Sequence, residues 1–288
     1  MINRFILGLF AILASCTFRG PPPGPVTFTV GNPYQVGGEW LYPRAFPSYD
    51  VTGLATVYGH GAPGFTTDNE PYSANALAAA SPVLQLPCIV TITNLVNGRT
   101  LDVRVNDRGP ANPGRILEVT PRVAELLGFP SGGIVEVEVK LDSGRSATLA
   151  GNLGAGPKVT AAPVAGITAQ TLAPPGAGGA GVAQSIGPAA AANQGLGSAD
   201  VTLSGVVGSV APSPGPLWVQ VPGFGTEADA YRTMARIYGM PARVVPVFGG
   251  DRTLWAVSIG PYHSVEDADS ALSQVLGLGI ADPQIIVR

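Results

Sequence analysis

The sequence predicts two folded domains joined by a disordered linker: a small β-barrel, then an α+β domain of ferredoxin-like order. Three observations lead to this prediction. Between residues 50 and 142, four segments alternate apolar and polar side chains or are β-branched, which is typical of strands. Residues 143–215 consist largely of Ala, Gly and Pro and lack the apolar side chains needed for a core. Residues 216–288 contain two similar halves with the pattern βαββαβ.

The barrel prediction comes from strands, one hairpin and one short helix. Asn97-Gly98 is a strong hairpin signal between two of the strands. Thr120 is placed to cap a helix with Pro121 in its first position, and Gly128 ends it. The predicted strands are residues 52–58, 89–95, 100–106 and 134–140.

The C-terminal domain shows two helix starts of the same kind. Thr226 is followed three residues later by Asp229, and Ser264 by Asp267, which indicates two capped helices. Alternation directs Val219 and Val221 inwards. The predicted strands are residues 217–221, 243–247, 254–259 and 285–287.

Charge and the first residues restrict the function. A net charge of -3 without any basic run argues against a nucleic-acid partner. Arg4 and the apolar residues 5–13 form a secretory signal that is too short to span a bilayer. Small residues before Cys16 resemble the bacterial lipobox, which implies a signal peptide over residues 1–15 and lipidation of Cys16. An ordinary signal peptide with a chance cysteine is the alternative. By resemblance to sorting rules, Thr17 after the cysteine favours the outer membrane.

Between the signal and the barrel, residues 16–49 are rich in Pro, Gly and aromatic side chains. They predict an extended tether that docks in part through Trp40, Tyr42 and Phe46. With Cys16 lipidated, Cys88 has no disulfide partner and is expected to be a small buried hydrophobe. The two histidines, His60 and His263, lack metal-ligand spacing, so neither a metal nor another cofactor is expected.

The segment with the most chemical content is residues 103–110. It ends an alternating strand at Asp107, and Gly109-Pro110 then turns the chain. A carboxyl at the rim of an apolar barrel wall is partly desolvated, which favours its protonated form and suits a general acid. The alternative is a strand end with a solvated Asp-Arg pair.

These residues resemble the rare lipoprotein A family. The resemblance covers residues 53–128 and is most specific in Thr93-Asn94-Leu95, Asn97-Gly98-Arg99 and residues 103–110. It implies a six-stranded double-psi β-barrel and lytic transglycosylase activity on peptidoglycan strands that lack stem peptides. Residues 218–224 and 257–262 resemble the SPOR domain, which implies binding of such denuded glycan at division septa.

The resemblance also implies a site. Asp107 matches the family's acid, and Glu70 and Tyr72 match a second acid and a tyrosine. Ser81 stands where the family has a histidine, and Glu118 stands where many members have Asp. Other expected substrate contacts are Asn106 and Arg108 in the barrel and Trp218, Gln220 and Phe224 in the SPOR domain. Ala256 replaces a frequent family arginine, which predicts weaker glycan binding.

Three functional hypotheses follow. The first is an outer-membrane lipoprotein that cleaves denuded glycan endolytically and leaves 1,6-anhydro ends. The second is a non-catalytic glycan binder, in the manner of expansins, which Ser81 favours over the first. The third is an envelope scaffold that recruits division proteins.

Overall fold

A computed structural model of the chain describes residues 24–37, 39–59, 64–130, 133–155, 201–249 and 252–288. The predicted signal peptide, Cys16, His60 and residues 156–200 lie outside the described residues. In the described part of the chain, no helix is both long and apolar enough to cross a bilayer.

Six strands close into a barrel: β3 (Asp50–Val57), β4 (Ala78–Ala80), β5 (Cys88–Asn94), β6 (Arg99–Asp107), β7 (Arg115–Val119) and β8 (Val135–Leu141). Their order is β4-β7-β3-β8-β5-β6, and pairing of β4 with β6 completes the ring. Alternating Val, Leu and Ile side chains fill the interior because successive side chains of a strand face opposite sides. All four predicted barrel strands are confirmed.

Strand β4 places the site. It pairs in parallel with β6 and antiparallel with β7, so that Ala80 lies beside Asp107 on one side and Glu118 on the other. Two carboxyl-bearing positions, 11 residues apart in sequence, therefore meet across one alanine. The small side chains of β4 are fully or almost fully buried, which allows the two neighbouring strands to approach closely.

The predicted hairpin and short helix are confirmed. Gly98 takes a φ of 74° in the turn between β5 and β6, where glycine carries no Cβ penalty. Helix α1 (Pro121–Leu127) begins after Thr120, whose Oγ accepts from the amide of Val123, and ends at Gly128 with a φ of 72°.

The N-terminal segment is more ordered than an extended tether. Strands β1 (Tyr34–Val36) and β2 (Glu39–Leu41) form a hairpin, and Thr29 exchanges backbone hydrogen bonds of 2.7 and 2.8 Å with Leu86 of the barrel. Phe46 packs against the barrel core as expected. Trp40 and Tyr42, in contrast, are more than half exposed, so the expected docking through them is wrong.

The prediction that disorder begins at Ser143 is also wrong. Helix α2 (Ser143–Asn152) follows β8 directly: Asp142 caps it by accepting from the amide of Arg145, and Leu149 is buried. Composition alone reveals neither this cap nor the burial of Leu149. At the other end of the predicted linker, strand β9 (Gly208–Ser209) pairs with β6.

The C-terminal domain has the predicted order βαββαβ. Its sheet order is β11-β12-β10-β13, and both predicted caps accept hydrogen bonds from the Asp229 and Asp267 amides. Val219 and Val221 face the core as expected. The elements are β10 (Leu217–Phe224), α3 (Glu227–Arg236), β11 (Ala242–Gly249), β12 (Arg252–Tyr262), α4 (Val265–Gly277) and β13 (Gln284–Val287).

This domain lies directly against the barrel. Both terminal guanidinium nitrogens of Arg115, Nη1 and Nη2, donate to the carboxylate of Asp269 on α4, each at 2.7 Å. The hydroxyl of Thr52 donates to the Val287 carbonyl at 2.7 Å. A Cβ on Gly114 would lie only 2.6 Å from a Leu272 methyl, so a larger residue would not fit.

Candidate active site

Asp107 is held at the end of β6 by four donors. Its Oδ1 accepts from the amide and hydroxyl of Thr67, at 2.9 and 2.6 Å, and from the Arg108 amide at 2.8 Å. The hydroxyl of Tyr58 lies 3.2 Å from Oδ2. Because Oδ1 is occupied by backbone donors, a proton carried by Asp107 belongs on Oδ2. The carboxyl is thus oriented, with one defined oxygen for chemistry.

Glu70 lies at the end of a tight loop and is joined to β6. It forms an ion pair with Arg104, and its Oε2 accepts from Asn106 Nδ2 at 2.7 Å. The Asn106 Oδ1 is buried and has no hydrogen-bond partner among the described residues. The sequence predicted that Glu70, Asn106 and Asp107 share a site, and the structure brings them together.

Asp68 underlies this loop and was missed by the sequence analysis. It is fully buried, and its Oδ1 accepts from the Thr66 hydroxyl at 2.6 Å and the Glu70 amide at 3.1 Å. Burial, helped by the neighbouring Glu70 charge, raises the pKa of Asp68 to about 6. Asp68 therefore stabilises the loop from Thr66 to Glu70 through these two hydrogen bonds.

Glu118 is the second residue that the sequence analysis left out of the site. It faces Asp107 across Ala80, its carboxylate accepts from the Gly59 amide, and a Cβ built on Gly109 would lie 3.2 Å from its Oε2. Burial, then the charge of Asp107, raises the pKa of Glu118. The alternation of β7 predicts which face Glu118 occupies, but not that this face meets Asp107.

Two tyrosines connect these carboxyls to an open cleft. The rings of Tyr58 and Tyr72 lie 5.2 Å apart, and burial raises the pKa of the Tyr58 hydroxyl, so it stays protonated. The cleft has a volume of about 470 Å³. It is lined by Tyr58, Glu70, Tyr72, Arg104 and Asn106 of the barrel and by Val201, Thr202 and Leu203 from beyond the predicted linker.

Ser81 does not face this cleft. Its side chain is fully buried, and its Oγ accepts from the amides of Val83 at 3.4 Å and Leu84 at 3.3 Å. Its own amide donates to the Asp107 carbonyl at 3.0 Å. The hydroxyl thus stabilises a turn next to the site and offers no surface to a glycan, contrary to the substrate contact expected from the sequence.

We expect Ser81→His to destabilise the protein without adding activity. An imidazole at a fully buried position must displace its neighbours and lose the turn hydrogen bonds, at a cost of about 1–3 kcal/mol. Thermal melting of the variant should fall by at least about 4 °C. Ser273→His, on the exposed face of α4, is the matched control. An unchanged melting temperature with increased turnover would show that the position reaches the substrate.

Arg108 is likewise directed away from the cleft. Its guanidinium donates to the carbonyls of Ser81, Leu84 and Val30, the last at 2.6 Å. It therefore connects the N-terminal segment to the turn that follows β4. The sequence expectation of a substrate contact is replaced by this structural role.

A second polar surface lies on the C-terminal sheet, on the face opposite its hydrophobic core, but most of it is covered, since Trp218, Gln220 and Ser258 are only 7%, 8% and 0% exposed. Gln220, Ser258 and Arg243 occupy one row across three strands. The Arg243 guanidinium stacks 4.1 Å from the Trp218 ring centre. Trp218 Nε1 and Ser258 Oγ are buried without hydrogen-bond partners among the described residues. Trp218 and Gln220 therefore lie on the expected face, and Arg243 supplies the cation that Ala256 does not.

Phe224 does not join this surface. A register shift between Val221 and Phe224 separates it from the alternation of the strand, and its ring packs against the domain core. Cys88 is fully buried, as expected, and burial raises the pKa of its thiol to about 12. Among the described residues, no cluster of three His, Cys, Asp or Glu side chains could hold a metal ion.

Two family models match the chain. Residues 50–139 match the lytic transglycolase model, which is a double-psi β-barrel, and residues 213–286 match the SPOR model. The chain carries a lytic transglycolase domain followed by a SPOR domain. The predicted resemblance to the rare lipoprotein A family and the predicted fold class are thereby confirmed.

Curated relatives agree with the two models. A protein from Pseudomonas aeruginosa, named endolytic peptidoglycan transglycosylase RlpA, is 29% identical over 88% of this chain and 76% of its own length. Proteins of the same name from Rickettsia bellii and Yersinia pestis are 37% and 38% identical over 39% and 40% of this chain, and 52% and 32% of their own lengths. This chain therefore spans about half the length of the Rickettsia bellii protein.

The matched segments contain the structural features described above. The lytic transglycolase domain holds Asp107, Glu70 and Glu118, while Trp218, Gln220 and Arg243 lie in the SPOR domain. The cleft walls Val201, Thr202 and Leu203 lie outside both matched segments.

Proposed function

We propose that the chain is a lytic transglycosylase that cleaves denuded peptidoglycan strands and leaves 1,6-anhydromuramyl ends. The observation that supports this most directly is the orientation of Asp107: three donors fix Oδ1, while Oδ2 accepts from the Tyr58 hydroxyl at 3.2 Å. The family match and the names of the relatives supply the reaction class.

In the proposed reaction, Asp107 acts first as acid and then as base. Oδ2 gives its proton to the glycosidic oxygen, and the bond from C1 to that oxygen breaks. The same carboxylate then takes the proton of the muramyl 6-hydroxyl as its oxygen bonds to C1, which closes the anhydro ring. A single carboxyl serves both steps because no water is activated on the opposite face. Between the two steps, the protonated Tyr58 hydroxyl stabilises the Asp107 carboxylate by its hydrogen bond to Oδ2.

Glu70 is proposed to position the sugar rather than to transfer protons. Its charge is balanced by Arg104, and its hydrogen bond orients Asn106, both of which line the cleft. Carboxylate, amide and tyrosine hydroxyl together provide the donors and acceptors that sugar hydroxyls require. Tyr72 contributes an aromatic face for stacking.

Glu118 is proposed to tune Asp107 by charge. A negative Glu118 repels negative charge on Asp107 across Ala80, and the pKa of Glu118 is itself raised by burial and by the charge of Asp107. Glu118→Gln removes this titrating carboxyl, so the limb of the pH-activity profile that follows its ionisation should be lost. The surrounding groups are Asp107, Tyr58, Tyr72 and the Gly59 amide. Glu138→Gln on β8 is the control, and a retained limb in Glu118→Gln would remove Glu118 from the mechanism.

A non-catalytic glycan binder is the second candidate function, and it is favoured by the burial of Asp107, which is 6% exposed and is not among the residues that line the cleft. The deciding experiment incubates the soluble protein, cut after residue 16, with amidase-treated peptidoglycan. Mass spectrometry of the released fragments should show anhydro ends. Binding to these sacculi without any anhydro product would support the binder.

The SPOR domain is proposed to bring the barrel to denuded glycan. Arg243 is exposed and can bond sugar hydroxyls. Trp218 and Gln220 are buried, and the Arg243 guanidinium lies over the Trp218 ring, so stacking of a sugar on Trp218 requires Arg243 to move aside. Lipidation of Cys16 would anchor the protein in the outer membrane, facing the periplasm. Septal localisation and contact with division proteins are part of the same proposal.

A further inference from the structure

The chain returns to the barrel before it enters the SPOR domain. We call residues 201–216 the return segment. The amide of Val210 donates to the Gly98 carbonyl at 2.8 Å, and the amide of Ser213 donates to the Leu95 carbonyl at 2.8 Å. Between these contacts and the cleft, β9 adds a short antiparallel strand to β6. The segment therefore follows the barrel edge towards the cleft.

Two glycines allow this path. A Cβ on Gly98 would lie 2.0 Å from the Val210 carbonyl oxygen, and one on Gly208 would lie 2.4 Å from the Thr100 hydroxyl oxygen. Both distances are far below van der Waals contact, so larger residues would push the segment away. The close approach depends on residues of both the barrel and the return segment.

The beginning of the segment forms part of the cleft wall. Val201 and Leu203 are half-buried, and they line the same cleft as Glu70, Arg104 and Asn106. They leave a volume of about 470 Å³ between the walls, which is within the size range of ligand sites. The segment therefore borders the cleft and does not fill it.

The other end is fixed by the docked SPOR domain. The Gly215 amide donates to Glu136 of the barrel at 3.2 Å, and the chain then enters β10. The domain itself is held by the two-bond pair of Arg115 with Asp269. Arg115 is almost fully buried, so this pair is less screened by solvent than a surface ion pair.

We propose that Val201 and Leu203 are specificity-determining residues, which form the apolar wall of a subsite for the N-acetyl methyl groups of the glycan. Residues beyond the linker then complete the catalytic cleft, and the docked SPOR domain holds these residues in place. This inference rests on the proposed function, because it needs a glycan in the same cleft. Apolar side chains in the same cleft as a carboxylate, a guanidinium and an amide suit a sugar with both acetamido methyls and hydroxyls.

Hydrogen exchange on the full soluble chain tests the wall directly. Denuded glycan strands should slow exchange at residues 201–205 as well as around Glu70 and Arg104. Faster exchange at residues 201–205 would show a displaced lid, and unchanged exchange there would show no contact; either overturns the inference. Protection around Glu70 and Arg104 without protection at residues 201–205 would overturn only this inference. Protection at neither place would overturn the proposed function as well.

Kinetics provide a second test. Leu203→Ala should raise KM about fivefold to twentyfold with little change in kcat, because contact with a substrate methyl is lost. Val206→Ala is the matched control, since Val206 is 72% exposed and lies outside the cleft wall. Asp269→Asn, which weakens the docking, should change KM in the same direction as Leu203→Ala. A Leu203→Ala enzyme with higher turnover at low substrate would contradict the inference.

Discussion

Replacing Asp107 with Asn is expected to reduce the release of anhydro-ended fragments by about a thousandfold or more. Such a loss corresponds to roughly 4 kcal/mol of transition-state stabilisation. An amide cannot give a proton to the glycosidic oxygen or take one from the 6-hydroxyl. The change preserves shape, since the Asn oxygen can accept from Thr67 and Arg108 as Oδ1 does now. Folding should therefore be nearly unaffected.

The measurement compares initial rates of anhydro-product formation from amidase-treated peptidoglycan, with melting curves as a check on folding. Asp50→Asn is the matched control, because its carboxylate pairs with Lys140 on the exposed barrel surface. The Asp107→Asn protein should still bind denuded sacculi through its SPOR domain. A loss of activity smaller than tenfold would show that another carboxyl acts as the acid. Activity of the double variant with Glu118→Gln would then show whether that carboxyl is Glu118.

Local sequence signals predicted most of the fold. The strands β3, β5, β6 and β8 carry alternating apolar side chains, the turn at Gly98 needs a positive φ, and every predicted helix has its capping residue. Each of these signals is contained within a few neighbouring residues. These signals therefore predict each element without any knowledge of the strands that pair with it across the barrel.

Strand β4 had no such signal. Three alanines carry neither alternation nor β-branching, and their strand pairing depends on β6 and β7, which are distant in sequence. Because β4 brings Asp107 and Glu118 together, Glu118 could not be assigned to the site from local pattern. Asp68 was missed for the same reason, since its role depends on being buried beneath Glu70 and Arg104.

Composition was the least reliable guide. Ala, Gly and Pro predicted a disordered stretch over residues 143–215, yet α2 packs at one end and the return segment at the other. Glycine at 208 permits a close strand approach, which the composition cannot distinguish from a flexible linker. Arg243 was likewise found only through the sheet register, which brings it to Trp218.

The second large effect is expected at Arg108, and it separates the sequence interpretation from the structural one. Arg108→Ala should lower the free energy of unfolding by about 3–5 kcal/mol, because three carbonyls, two of them on the fully buried residues Ser81 and Leu84, lose a charged donor together. Urea unfolding followed by fluorescence measures this. Arg108→Lys should recover only part of the stability, since an ammonium cannot reproduce the planar fork that spans three carbonyls.

The same variant tests whether Arg108 contacts substrate. If Arg108 binds glycan, its loss raises KM and leaves the free energy of unfolding unchanged. If it anchors the N-terminal segment, its loss lowers the free energy of unfolding and leaves KM unchanged. Arg122→Ala controls for loss of a positive charge, because its exposed pair with Glu125 contributes at most about 0.5 kcal/mol. Since Arg108 bonds the carbonyls of Ser81 and Leu84, its loss should also loosen the turn beside Asp107. At temperatures well below unfolding we therefore expect a modest fall in kcat together with an unchanged KM.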